Sequence, residues 1–326
     1  MRAARLNGFD GPSSLELAEV AEPRPGPDEV LIAVRAVGLN RADLLQCLGL
    51  YPAPPGVPAD VPGLEFAGEV LELGAAVTEV RVGDRVMGLV AGGAYAERLV
   101  TPATELLRIP AGLDFSSAAA IPEAFATAFD ALVLQGGLAA GQSALIHAAG
   151  SGVGTAAVQL VGALGAVAIG TSRTESKLER AKGLGLAHGV LLQDGWVDQV
   201  RALSGGAGVN VVLDLVGGEH FAGTLEACAP RATVMVVGLT AGPSAEIPLR
   251  AVLSKRLRII GTTLRSRGPV ERRALTAALT ERVLPLFASG ALRPVVSARA
   301  SFEDIAAALQ GLARNDTFGK VVATLG

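Results

Sequence analysis

Cysteine is almost absent: Cys47 and Cys228 are the only two in 326 residues. That excludes a disulfide framework and a cysteine-rich zinc lobe, and it suits a reducing cytosol. Aromatic residues are also scarce, so the core has to be built mainly of Ala, Val and Leu. No sign of charge dominates. A formal net charge of −3 gives no electrostatic footing for nucleic acid or an anionic membrane. The opening residues, MRAARLNGFDGPSS, contain no apolar stretch of signal-peptide length. Residues 131–172 lack Asp, Glu, Lys and Arg, but glycines and Gln135, Gln142, His147 and Gln159 interrupt them. No run there reaches the ~20 apolar residues of a spanning helix. Buried parallel strands with a packed helix account for the stretch better, and no membrane partner is expected. The length suits about two domains.

What the chain does have is glycine, and the most informative glycines lie in QSALIHAAGSGVGTAAVQLVGAL, residues 142–164. Ser143–Ala148 reads as a buried strand. Gly150, Gly152 and Gly154 follow, and then Val153, Ala156, Ala157, Leu160, Val161 and Leu164 recur at helical spacing. Strand, glycine turn and helix in this order open a dinucleotide-binding unit, in which the helix N-terminus holds a pyrophosphate. A tight strand-to-helix turn without a ligand has the same look. Beyond it strands and helices alternate to Leu257–Thr263, which predicts a doubly wound parallel sheet.

Residues 1–120 differ: short strands at Glu29–Val37, Glu65–Leu73 and Asp84–Leu89, punctuated by glycines, indicate a β-rich unit. Tyr51–Gly63 carries five prolines and predicts a rigid extended loop. After Gly268 a helix over 270–287, a strand at 295–300, a helix over 302–310 capped by Ser301 and a strand at 318–325 are expected. Two strands cannot make a core alone, so this stretch is expected to complete the first unit. The expected domains are 1–121 with 267–326, and 122–266.

In the dinucleotide fingerprint an acid at the end of the second strand binds the ribose 2′-OH of NAD. Here that strand ends in Thr171-Ser172-Arg173, and no acid comes before Glu175. Ser172, Arg173 and Lys177 suit a 2′-phosphate, which favours NADP(H). As a bland alternative, Arg173 and Lys177 form a solvated helix start. Val216, Gly238 and Leu239 follow the fourth and fifth strands, at the edge where open α/β sheets bind ligands.

GLNRADLLQ (38–46), GLEFAG (63–68), VGDRVMGL (82–89), GGAYAE (92–97), IPEAFATAF (121–129), the glycine segment, DLVGG (214–218) and FGKVV (318–322) together resemble the medium-chain dehydrogenases/reductases. Within them the chain resembles the zinc-free NADPH:quinone oxidoreductases. LYPAPPG (50–56) is similar to the branch that includes the p53-inducible quinone oxidoreductase. The resemblance implies a Rossmann domain inserted in a discontinuous GroES-like catalytic domain, a cleft between the two, and a cytoplasmic homodimer. It also implies no metal. The alcohol dehydrogenase branch has a GHE triplet and a cysteine ligand, whereas this chain has Gly63-Leu64-Glu65 and Leu39-Asn40.

On that footing Asn40, Tyr51 and Ser151 are the candidate catalytic residues. Asn40 either bonds ribose, cofactor or substrate carbonyl, or caps the helix at 41–48. Tyr51 either orients a flat quinone and offers its hydroxyl to the developing oxyanion, or anchors its loop by packing. Ser151 contacts a phosphate, lines the cleft, or merely fits a tight turn. Thr127 and Lys320 join Gly150, Ser151, Gly152, Val153, Gly154, Ser172, Arg173, Lys177, Val216, Gly238 and Leu239 as candidate cofactor residues. Lys320 has the alternative of an ordinary strand-end charge. Asp43 and Tyr95 are expected to be structural, and His147 a satisfied core histidine. The expected reaction is hydride transfer from NADPH to a quinone. The alternatives are an enoyl or 2-alkenal reductase acting on an enone, and a low-turnover NADPH-binding protein with a structural or RNA-binding role.

Overall fold

The computed structural model describes residues 1–325. They form two compact units, residues 1–123 with 264–325, and Ala124–Thr263. The divisions fall at 123/124 and 263/264, where 121/122 and 266/267 were expected.

The first unit begins with an antiparallel pair, β1 (Arg2–Leu6) and β2 (Leu15–Glu19). Then come β3 (Glu29–Leu39), α1 (Arg41–Cys47), β4 (Glu65–Leu73), β5 (Arg85–Leu89), β6 (Arg98–Pro102) and β7 (Leu106–Arg108). β3 is buried along most of its length because it is the central strand, paired with both β4 and β6. Its run EVLIAVRAVGL therefore alternates only in part. β1, β2, β6 and β7 were not expected; they are three to five residues long and too short for a period of two to stand out. No helix or strand interrupts the proline loop between α1 and β4.

After α2 (Phe115–Ala118) the chain enters the second unit within α3 (Pro122–Phe129), which one π-helical turn at Asp130–Gln135 follows. There β8 (Ser143–Ile146), α4 (Gly152–Ala163), β9 (Val167–Ser172), α5 (Glu175–Lys182), β10 (His188–Leu191), α6 (Trp196–Leu203), β11 (Val209–Asp214), α7 (Phe221–Ala227), β12 (Cys228–Val236), α8 (Leu249–Lys255) and β13 (Arg258–Gly261) follow in turn. The six strands pair in parallel in the order β10-β9-β8-β11-β12-β13. This is the doubly wound Rossmann arrangement with its order reversal beside β8. Leu145, Ile169, Val212 and Val234 of the sheet pack against Trp196, Phe221 and Leu225. α7 begins only at Phe221 because Gly218–His220 forms a 3-10 turn. β12 absorbs a left-handed residue, Arg231 (φ 67°).

The last segment holds α9 (Pro269–Arg282), α10 (Leu284–Ala288), β14 (Val296–Ser301), α11 (Ile305–Ala313) and β15 (Lys320–Thr324). The single helix expected over 270–287 is two, since Pro285 cannot continue α9 and starts α10 instead. Ser301 does accept the Asp304 N–H, but α11 begins only at Ile305. β15 pairs antiparallel with β3 and parallel with β14, giving a seven-strand sheet. Phe302, Ile305, Leu309 and Val321 share one core with Val30, Ile32, Phe66 and Val86. The fold class is thus α/β, a Rossmann sheet between the two parts of a GroES-like β-rich domain.

The helical turns at Phe115–Gln135 are long and apolar enough to cross a membrane by composition, but 78% of the apolar window is buried inside the protein.

Candidate functional site

In a parallel sheet all strand ends of one kind share an edge. The carboxyl edge of the second unit therefore gathers the turn after β8, Ser172 at the end of β9, Val216 after β11 and Gly238 after β12. The turn after β8 is held from both sides. The His147 N–H donates to the Leu213 carbonyl, and the Ala149 N–H to that of Thr171. Ala148 takes a left-handed conformation (φ 51°), which swings the chain into Gly150. Ser151 is the N-cap of α4: its hydroxyl accepts the Gly154 N–H at 3.0 Å. The N–H groups of Gly152 and Val153 open the helix, where no carbonyl of the same helix is in reach. A Cβ on Gly154 would sit 2.3 Å from the Ala148 carbonyl oxygen, so the turn closes only over glycine. These features fit a pyrophosphate at the helix N-terminus. They make Ser151 a capping residue of the turn and give it no catalytic partner.

Ser172 is buried and its hydroxyl accepts the Thr174 N–H. Arg173 is exposed. Lys177 reaches back so that its aliphatic stem covers Gly150, leaving 2.9 Å between Lys177 Cδ and a Cβ added there. This places the basic start of α5 against the glycine turn. Asp214 Oδ1 accepts the N–H groups of Val216 and Gly217 at 2.8 and 2.9 Å, and its carbonyl those of Val237 and Gly238. One residue thus shapes both loops, the first with its carboxylate and the second with its main-chain carbonyl. Its Oδ2 is buried without a partner, an acceptor aimed at no protein donor on the edge where ligands bind. Leu239 is exposed and Thr127 is buried in α3.

His147 is fully buried between Thr171 and Thr224, each 2.8 Å from a ring nitrogen. Thr224 spends its hydroxyl hydrogen on the His220 carbonyl. It can only accept from Nε2, so the ring carries its proton there and Nδ1 accepts from Thr171. Burial lowers its pKa, against the opposing pull of Asp214. It is the satisfied core histidine that was expected.

The first unit holds a second polar cluster. Glu65 and Lys320 form a buried ion pair at 2.7 Å. Glu65 Oε1 also accepts from Asn40 Nδ2 at 2.9 Å, and Oε2 from the Glu123 N–H at 2.8 Å. Lys320 completes its three bonds with the Leu39 carbonyl and Asn40 Oδ1. Two expectations are corrected here. Lys320 has no donor left for a cofactor. The Asn40 amide donates to Glu65 and the Gly38 carbonyl, which leaves it no donor for a substrate carbonyl. Its alternative holds: Asn40 is the N-cap of α1, with the Asn40 N–H on the Asp43 carboxylate and the Asp43 N–H on the Asn40 carbonyl.

Asp43 is wholly buried and also accepts from the Gly63 N–H and, at 2.8 Å, from the Tyr95 hydroxyl. Burial raises its pKa to about 6, although the Tyr95 and Asn40 bonds and Lys320 resist the shift. Tyr51 opens the proline loop, partly buried. Burial and Glu123 raise its pKa while Arg265 opposes them. Arg265, which donates to the Tyr51 carbonyl, and Gln46, which accepts from Arg265, were not picked out from sequence. An isolated arginine and a helix glutamine carry no local signal. Both thiols are buried, which pushes each up to about 12. Among the described residues no three His, Cys, Asp or Glu lie close enough to hold a metal ion.

Two family descriptions match the chain: "Alcohol dehydrogenase GroES-like domain" over residues 26–111 and "Zinc-binding dehydrogenase" over residues 152–281. The quinone oxidoreductase-like protein 2 homolog of Nematostella vectensis is 34% identical over 301 residues, 91% of this chain and 82% of that protein. The quinone oxidoreductase of Lama guanicoe is 34% identical over 331 residues, covering 100% and 98%. Among solved structures, the Escherichia coli quinone oxidoreductase complexed with NADPH superposes with a TM-score of 0.90 at 27% identity, over all of both chains. An NAD-dependent alcohol dehydrogenase gives 0.89 at 31% over all of both, and the CurK enoyl reductase 0.89 at 27% over 100% and 99%.

Gly154→Ala is expected to weaken NAD(P)H binding at least tenfold, about 1.4 kcal/mol, read by nucleotide fluorescence titration with circular dichroism as the folding control. Asp43 predicts an inverted pH effect. Its native value lies near 6 and its ordinary value at 3.8, so the folded chain holds the extra proton. Its contribution to stability becomes more favourable as pH falls through about 6 and levels off below about 4. Urea unfolding at pH 4.5 and 7 checks this: Asp43→Asn should lose this component of the pH difference.

Proposed function

The chain belongs to the medium-chain dehydrogenase/reductase superfamily as an NAD(P)-dependent oxidoreductase, and from that premise we propose that it is an NADPH-dependent quinone reductase that works without a metal. The cofactor choice is carried by the end of β9, where Ser172 and Arg173 stand in place of an acid and Lys177 lies over Gly150. Arg173 and Lys177 supply charge-assisted bonds to a 2′-phosphate. An acid at this position would repel it. The pyrophosphate takes the N–H groups of Gly152 and Val153, with Ser151 fixing the cap. The bound dinucleotide supplies a hydride; the quinone takes it together with one proton and leaves as the hydroquinone.

The metal-free reading rests on residue chemistry. A catalytic zinc needs three protein ligands. Here the histidine position of the triplet is Leu64, the cysteine position is Leu39-Asn40, and the Glu65 carboxylate is neutralised by Lys320 at 2.7 Å. Without a metal no group lowers the pKa of an alcohol, which favours reduction of an electron-poor acceptor. Tyr51 is the residue assigned to the acceptor's oxygen, as hydrogen-bond donor and proton source. Reduction of an activated C=C bond is the second reading, favoured by the likeness to an enoyl reductase.

NADPH oxidation should be followed with 1,2- and 1,4-quinones and with simple enones. A higher kcat/KM for quinones is expected; a higher value for enones moves the assignment to the second reading, and turnover of neither rejects both. Arg173→Ala and Lys177→Ala should each raise KM for NADPH about tenfold and leave that for NADH unchanged. Equal losses for both cofactors would overturn the 2′-phosphate assignment.

A homodimer is part of the same proposal. β13 is an edge strand, and Leu249 and Leu253 of α8, which precedes it in the chain, are 74% and 80% exposed. Unpaired edges and apolar patches of this kind are ordinarily covered. Sedimentation should give a dimer that Leu253→Asp converts to monomer; a monomeric wild type refutes it.

A further inference from the structure

Arg265 is 7% exposed, yet among the described residues no carboxylate lies within ion-pair distance of it. A buried guanidinium is costly when its partners are neutral, and this one has three. Nε donates to the Ala91 carbonyl at 2.6 Å, one terminal nitrogen to the Tyr51 carbonyl at 2.8 Å, and the other to Gln46 Oε1 at 2.6 Å. The guanidinium carbon also lies 5.1 Å from the centre of the Tyr51 ring, within cation–π range. The same residue is thus gripped twice, by its main chain and by its ring.

The grip is anchored. Gln46 is buried in α1, and its amide nitrogen donates to the Ala59 carbonyl. Gln46 and Arg265 therefore fasten the proline loop at both Tyr51 and Ala59. Gly92, in the turn after Ala91, leaves no room for a side chain: a Cβ there would lie 2.7 Å from Val57 and 3.4 Å from Arg265. Prolines alone make this loop stiff, so the fold has no need of a buried charge to immobilise it. What the charge adds is an electric field at the Tyr51 phenol. The charged groups facing that phenol are Glu123, which opposes its ionisation, and Arg265, which favours it.

We propose that Arg265 is the positioning residue for Tyr51: it fixes the direction of the phenol and backs it with positive charge, with Gln46 as its anchor. This rests on Tyr51 being the group that serves the acceptor's oxygen. Arg265 itself touches no reacting atom and acts through Tyr51.

A double-mutant cycle tests this. Arg265→Gln should lower kcat for quinone reduction about tenfold with KM for NADPH unchanged, and in the Tyr51→Phe background it should have no further effect beyond twofold. Arg265→Lys, which keeps the charge and loses the fork, should recover part of the loss. Equal losses in both backgrounds would mean a purely structural arginine. A second readout needs no turnover. The chain has two tyrosines, and Tyr95 is buried on Asp43 with a pKa well above the ordinary value. Phenolate absorbance after a pH jump therefore reports Tyr51 first. Arg265→Gln should move that titration upward by about one pH unit; an unmoved titration overturns the proposal. If no acceptor is turned over, the quinone reading fails while the titration still decides the Arg265–Tyr51 link. If Arg265→Gln does not fold, Gln46→Ala takes its place in the same cycle and titration with the same expected directions.

Discussion

The first unit depends on one buried ion pair. Glu65 belongs to β4 and Lys320 to β15, and with Asn40 they join the early part of the chain to its last strand at one point. An ion pair out of water is a poor source of stability, because desolvation consumes most of the Coulomb gain; breaking it, however, strands a charge and costs about 3–5 kcal/mol. The value of the pair lies in register. β15 can pair with β3 in only one alignment that brings Lys320 to Glu65, and that alignment carries the returning segment into the core. Gly38 is part of the same constraint. A Cβ there would lie 2.2 Å from Glu65 Oε1 and 2.6 Å from the Ala119 carbonyl, so glycine is the only residue that lets the carboxylate in.

The second unit reaches its working geometry by a different route, around a buried neutral imidazole. His147 stands where β8 ends and joins β9 to α7 through two threonine hydroxyls, with Trp196 edge-on at 5.5 Å. Its tautomer is dictated by Thr224, and its low pKa keeps the ring uncharged beneath the turn. Directly above it the chain makes its only non-glycine left-handed step of the glycine segment, at Ala148, and then meets the N-terminus of α4. The strain at Ala148 is held by hydrogen bonds to β9 and β11 on either side. Such bracing keeps the N–H groups of α4 pointing outward before any anion arrives, which reduces the ordering cost of binding one.

Much of this was legible in the sequence because the signals were local. The glycine turn, the alternation of strands and helices after it, and the proline loop each lie within a few dozen residues, and propensity and pattern agree there. The absence of an acid at the end of β9 can be read in the same way. Partnerships between distant residues cannot. Lys320 in FGKVV and Asn40 in GLNRAD each look like a side chain free to meet a ligand; only pairing of β15 with β3 brings them together and exhausts their donors. Arg265 was further obscured by its position. It follows the last Rossmann strand by a few residues and reads as a charge at the end of that domain, whereas the first unit resumes one residue earlier, at Leu264. A boundary shift of three residues decided which unit Arg265 belongs to.

The buried charges of the first unit are unequal in pairing, and the inequality has a chemical use. Glu65 and Lys320 touch, so each satisfies the other. Asp43 and Arg265 do not; neutral donors hold one and neutral acceptors the other, and each is pushed by burial toward its uncharged form. They bracket α1 and the loop it feeds, with Asp43 on the Gly63 N–H at the loop's end and Arg265 on the Tyr51 carbonyl at its start. Had they formed a direct pair, the field of each would be largely cancelled at short range. Kept apart, the arginine presents its charge to the Tyr51 ring, and the aspartate spends its own on Tyr95 and main-chain N–H groups. The stiffness of the loop comes from proline, its placement from this pair of separated charges, and the reactivity assigned to Tyr51 follows from which of the two lies nearer.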